Sequence, residues 1–160
     1  MSEHGPNKMV ILGIGNDSRG DDGLGWAFLD ALEKDPLPDT QTIYRYQLQP
    51  EDVAEIAGAE RVVFVDATKE YLENGFHWEP GKPERQPMVH SHWLPPSAVL
   101  GFCLEVYDRY PEAWVLSISG SQWELGQGLS PEARVRLDAA LAFFREWYGN
   151  PKVPLSPKLQ

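Results

Sequence analysis

The stretch MVILGIGNDSRGDDGLG, Met9 to Gly25, opens as a continuous apolar run and turns, from Gly13 on, into a segment with five glycines and three aspartates. A short run that is wholly apolar and ends in glycine reads as a strand buried on both faces, as strands of parallel sheets are. Phe28, Leu29 and Leu32 follow at helical spacing, so an amphipathic helix is expected over 23–35. Strand, tight loop and helix in that order form the opening unit of an α/β domain.

The pattern repeats along the chain. Residues 42–48 alternate as a second strand, and Pro50-Glu51-Asp52 opens a helix whose stripe is Val53, Ile56 and Ala57. Arg61-Val62-Val63-Phe64-Val65-Asp66 is the strongest strand signal in the chain, apolar past Arg61 until it meets an aspartate. A short strand is expected at Phe76-His77-Trp78, inside a mixed stretch rich in Gly, Pro and charge. Pro95-Pro96-Ser97 starts a helix with Val99, Cys103, Val106, Tyr107 and Tyr110 on its apolar side. Residues 114–119 form a further buried strand. Ser130 then caps a helix with Pro131 at its first position, and Leu137, Ala140, Leu141, Phe144, Trp147 and Tyr148 line one face before Gly149 and Asn150 stop it. Strands alternating with helices imply an α/β three-layer sandwich, a mostly parallel twisted sheet with helices on both faces. Residues 1–150 are expected to be one domain and 151–160, rich in proline, a loose tail.

The bulk composition narrows the classes. With 160 residues, 42% hydrophobic and 24% charged, the chain has the size and balance of a single globular domain. No apolar run approaches the roughly 18 residues of a membrane span, and the polar start lacks a signal peptide's apolar segment, so a cytoplasmic location is expected. Twenty-four acidic against 14 basic residues, a formal net charge of -10, repel a phosphate backbone and disfavour nucleic acid as a partner. Cys103 is the only cysteine, which excludes an internal disulfide and a thiolate-rich metal site.

In open parallel sheets ligands sit beyond the carboxyl ends of the strands, where strand order reverses. The loops after Gly15, Val65 and Ser119 are therefore the ones that carry chemistry. The Gly13-Ile14-Gly15 pair opens a dinucleotide fingerprint, but the third glycine is replaced by Ser18, and Asp17, Asp21 and Asp22 stand where a pyrophosphate would lie. No lysine follows a glycine as a P-loop requires. Asp22 reads either as a helix cap or as a ligand, and Asp66 either as a turn residue satisfied by local amides or as a ligand. Adjacent parallel strands would bring the two together, and paired carboxylates need a cation or a proton between them. His90 and His92 precede a helix and read as capping or surface residues; with the carboxylates, one imidazole would complete a set suited to a divalent transition metal. Ser119 and Ser121 lack a neighbouring histidine, and Cys103 faces a helix core, so no nucleophile is evident.

At these residues the chain resembles the hydrogenase maturation endopeptidases. The resemblance rests on Gly13-Ile14-Gly15-Asn16 with Gly20-Asp21-Asp22-Gly23, on Val65-Asp66-Ala67 closing a buried strand, and on Ser91-His92 before a helix. It continues through residues 114–120 and Gly126-Gln127-Gly128-Leu129-Ser130-Pro131, spanning roughly residues 9 to 148. It implies an endopeptidase that trims the C-terminus of the nickel-iron hydrogenase large-subunit precursor once nickel is in place. The metal ligands and catalytic groups fall on Asp22, Asp66 and His92. Nickel arrives with the precursor substrate, no organic cofactor is implied, and a monomer is expected. Some members carry Asp-Gly-Gly-Thr after the second strand, where this chain has Gln47-Leu48-Gln49-Pro50-Glu51, a difference that bears on which hydrogenase is served. A nickel-sensing accessory protein that cuts nothing, a nucleotide-binding module and a peptidase of another mechanism are the alternative readings of the same residues.

Overall fold

The structure is a computed structural model that describes residues 9–85 and 94–150. Five strands form one sheet: β1 (Met9–Ile14), β2 (Thr40–Arg45), β3 (Arg61–Thr68), β4 (Phe76–Pro80) and β5 (Glu112–Ser119). Four α-helices accompany them: α1 (Leu24–Lys34), α2 (Asp52–Ala57), α3 (Pro96–Tyr107) and α4 (Pro131–Gly149). The strand order is β2-β1-β3-β5-β4. The first four of these are parallel neighbours, and only β4 runs antiparallel, against β5.

Alternation along the strands sorts the apolar residues into two layers. Met9, Ile11, Val63 and Val65 face α1 and α4, while Val10, Leu12, Val62 and Phe64 face α2 and α3. All six residues of β1 are buried, as expected of a central parallel strand covered on both faces. The three-layer α/β reading therefore holds. The aromatic block behind the sheet is built from Trp78, Trp114 and Trp147, the last lying with its ring centroid 5.0 and 4.8 Å from the other two.

Several element boundaries differ from expectation for identifiable reasons. Strand β2 starts at Thr40 and ends at Arg45 because its register on β1 pairs Met9 with Thr40 and Ile14 with Arg45. Leu48, expected inside the strand, instead makes an isolated bridge to Leu94. Helix α3 ends at Tyr107, where Asp108 turns left-handed at φ 59°, so Val106, Tyr107 and Tyr110 are exposed and the buried face is Ala98, Val99, Leu100, Gly101 and Cys103. Strand β4 is longer than expected. Ser130 does cap α4, its hydroxyl accepting from the Ala133 amide at 3.1 Å. Among the described residues no helix is long and apolar enough to cross a membrane. The expected tail at 151–160 lies outside the described residues.

Candidate active site

The chain leaves β1, pairs β2 on one side of it, then returns to pair β3 on the other, so strand order reverses between β1 and β3. At that reversal stand Asp22 and Asp66. Asp66 sits in the last turn of pleat of β3, just after Val65, the partner of Gly13. Asp22 lies in a 3-10 turn, Gly20–Gly23, between β1 and α1.

Two glycines let that turn close onto the sheet. Gly15 has φ 147°, a backbone angle that side-chain-bearing residues rarely adopt, and a Cβ there would stand 2.0 Å from the Asp22 carbonyl oxygen. The Asn16 amide donates to that same carbonyl at 3.1 Å, pinning the turn to the end of β1. Gly25, in the first turn of α1, lies across both strand ends: a Cβ on it would be 2.6 Å from the Ile14 carbonyl oxygen and 2.7 Å from that of Val65. The helix thereby holds the turn over the β1–β3 junction, with the Asp22 carboxylate near that of Asp66.

The electrostatics record their proximity. Burial pushes Asp66 up to about 7; the Ala67 amide, donating to Oδ1 at 2.7 Å, opposes this, and the charge of Asp22 adds to it. Burial also raises Asp22, against the Asn16 amide and the nearby charges of Arg19 and Lys69. Asp66 thus uses a local amide, as a turn residue does, yet remains a half-buried carboxyl poised to hold or release a proton near neutrality. Capping does not explain Asp22, because α1 begins without a side-chain cap hydrogen bond.

His92 and His90 lie outside the described residues. Among the described residues no three His, Cys, Asp or Glu side chains form a group able to hold a metal ion. Asp22 and Asp66 bring two carboxylates to one place.

Asp21, next to Asp22, has an opposite role that its sequence did not reveal. It is fully buried, and its Oδ2 accepts from the amides of Ser121 at 2.6 Å and Gln122 at 3.0 Å and from the Ser130 hydroxyl at 2.7 Å; its Oδ1 accepts from the Ser130 amide at 2.7 Å. Burial works to raise its pKa, but these donors outweigh it and hold the carboxyl below the usual range. A buried, ionised carboxylate also occupies the loop interior where a phosphate would need donors. Lys69, just past β3, is a second residue missed: its ammonium lies 5.4 Å from the Trp123 ring centroid and its charge reaches Asp22. No spacing motif marked it. Ser119 is buried with its hydroxyl donating to the Glu70 carbonyl at 2.7 Å, and Cys103 is fully buried, so neither is placed as a nucleophile.

Fold and site define an α/β domain with a coupled carboxylate pair at its topological switch point. No family model and no curated protein sequence matches the chain. Among solved structures, a nickel-iron hydrogenase maturation protease, HycI, from Thermococcus kodakarensis is 28% identical, covering 90% of this chain and 94% of that one with a TM-score of 0.68. An endopeptidase from Escherichia coli aligns at 19% identity over 96% of this chain and 99% of that one, TM-score 0.70. The hydrogenase maturating endopeptidase HybD from E. coli aligns at 18% over 87% and 93%, TM-score 0.64. The last two share the fold, and the first adds sequence identity to it. The chain thus has the fold of the hydrogenase maturation proteases and is similar in sequence to one of them.

Proposed function

We propose that this chain is the endopeptidase that removes the C-terminal extension of a nickel-iron hydrogenase large-subunit precursor after nickel has been inserted. The observation that carries the reading is the Asp22–Asp66 pair at the sheet's switch point, where burial raises both carboxyls and the charge of Asp22 raises Asp66 further, so that a cation between them would be favoured. A divalent ion presented by the precursor supplies that cation. Asp22 and Asp66, joined by His92 on the strength of the family resemblance, fill positions that the immature nickel site leaves open. The nickel is substrate, brought by the precursor, and no organic cofactor takes part.

For peptide hydrolysis the chain also needs a base. A carboxylate oxygen of the pair that does not bind the ion accepts a proton from the water that attacks the scissile carbonyl carbon. The same proton passes to the leaving amine as the carbon–nitrogen bond breaks, so the carboxylate is regenerated. The protein works in this reading as a cytoplasmic monomer, without nucleic acid or membrane.

The test is to mix the purified chain with large-subunit precursor, nickel-loaded or nickel-free, and weigh the large subunit by mass spectrometry. Shortening of the loaded form alone is expected. An unshortened, nickel-loaded subunit that still binds the chain would support the non-cutting nickel sensor instead.

A further inference from the structure

Three loops rise from the carboxyl edge of the sheet around the Asp22–Asp66 pair, after β2, β3 and β5. Each carries one large apolar side chain turned to solvent: Tyr46 is 67% exposed, Tyr71 81% and Leu125 66%. Single exposed apolar groups are ordinary, but one on each of the three loops flanking the turn that bears Asp22 is the anatomy of a contact surface, with apolar anchors placed about a polar centre.

Two aromatic supports stiffen this rim. Tyr46 packs its ring 5.1 Å from that of Trp26, whose Nε1 donates to the Arg45 carbonyl at 3.0 Å. Trp123, on the same loop as Leu125, carries Lys69 over its face. Tyr46, held against Trp26 before binding, loses little conformational freedom on contact. The charge between the anchors is acidic: Asp17, Glu70, Glu73 and Glu124 are all exposed there, against Arg19, Lys69 and the half-buried Arg136, whose guanidinium donates to the Ser119 carbonyl and the Ser121 hydroxyl. Lys69 is further engaged with Trp123 and the Asp22 field.

We infer that Tyr46, Tyr71 and Leu125 are the docking points for the precursor polypeptide, and that the docked segment sets basic side chains among apolar ones. The apolar groups enter between the three anchors, and the basic groups pair with the acidic rim, which also steers the approach. This inference rests on the protease reading above, and it concerns where the substrate is held rather than how it is cut.

The test uses the full chain with Tyr46→Ser, Tyr71→Ser and Leu125→Ser, singly and together. Val106→Ser and Val135→Ser, equally exposed at 67% and 69% but on α3 and α4, serve as controls. Processing of nickel-loaded precursor is followed for KM and kcat separately, and binding of nickel-free precursor is followed by calorimetry at low and high salt. The triple variant is expected to raise KM at least tenfold with kcat within twofold of the parent, and the controls to match the parent. Binding should weaken in the rim variants and, for the parent, fall as salt rises. Parental KM and parental affinity in the triple variant would overturn the docking assignment, and salt-independent binding would overturn the basic character of the segment. If the parent binds precursor and cuts none, the protease reading fails, while loss of that binding in the rim variants still supports the surface.

Discussion

Asp21 holds Ser130 by two atoms at once, its Oδ1 taking the Ser130 amide and its Oδ2 the Ser130 hydroxyl, each at 2.7 Å. That hydroxyl is also the cap of α4, so one buried carboxylate joins the turn bearing Asp22 to the start of the last helix. Replacing Asp21 by alanine leaves the buried Ser130 amide and hydroxyl, and the part-buried amides of Ser121 and Gln122, without their acceptor. A loss of about 3–5 kcal/mol in urea unfolding is expected, the range for breaking a buried charged network. Because the folded pKa of Asp21 lies below its unfolded value of 3.8, its contribution is full above that value and disappears as pH falls through the lower folded one. Unfolding of the parent measured between pH 6 and pH 2 should show this loss, and the alanine variant should lack it.

Asp66 has the reverse sign. Its folded pKa of about 7 lies above the ordinary 3.8, so the folded state binds the extra proton and stability declines as pH rises from about 4 to about 7. Asp66→Asn removes this penalty. The variant is expected to be more stable than the parent at pH 8, by on the order of 2–4 kcal/mol, and no more stable at pH 4, while processing is abolished. Equal stability gains at both pH values would contradict the assignment.

The charge of Asp22 is one of the causes raising Asp66. Asp22→Asn should therefore lower the Asp66 titration midpoint, read from its carboxyl carbon by NMR, without returning it to 3.8, since burial is the larger cause. An unmoved midpoint would separate the two groups.

Gly25→Ala brings a methyl within 2.7 Å of the Ile14 and Val65 carbonyl oxygens, and both are backbone atoms of central strands that cannot step aside. Overpacking of this kind costs about 1–3 kcal/mol. The expected result is a lower unfolding midpoint together with slower processing, because α1 is what presses the Asp22 turn onto β3. A gain in stability, which alanine brings to an unhindered helical glycine, would show that the approach is looser than described.

For His92→Ala, the expectation from the family resemblance is a chain with unchanged circular dichroism that processes nickel-loaded precursor at least tenfold more slowly. A variant cutting at the parental rate removes His92 from the site.

Much of this was written in the sequence where burial is two-sided. Runs such as 9–15, 61–66 and 114–119 announce central strands because most positions in them are covered on both faces and are apolar. Strand β2 lies at the sheet edge, where half of the positions are free to be polar, and its limits came from pairing with β1 instead of from its own pattern. The stripe on α3 failed at Val106, Tyr107 and Tyr110 because periodicity cannot say where a helix overruns the layer it covers. The site was half legible. The switch-point rule drew attention to Asp22 and Asp66, but nothing local separates Asp22 from Asp21: the neighbours are the same residue type, and only donors a hundred residues away make one a staple and leave the other facing Asp66.

Those distant donors also set a clock on synthesis. A ribosome that has released β1, α1 and β3 has made both carboxylates of the pair, yet Asp21 still lacks the amides of Ser121, Gln122 and Ser130 that allow its charge to be buried. Until residue 130 has emerged, the turn carrying Asp22 is held by Asn16 and by α1 alone, without its tie to the last helix. The turn beside the carboxylate pair is therefore fastened to the far part of the chain only when the last helix begins to fold, so this framework is completed late in synthesis.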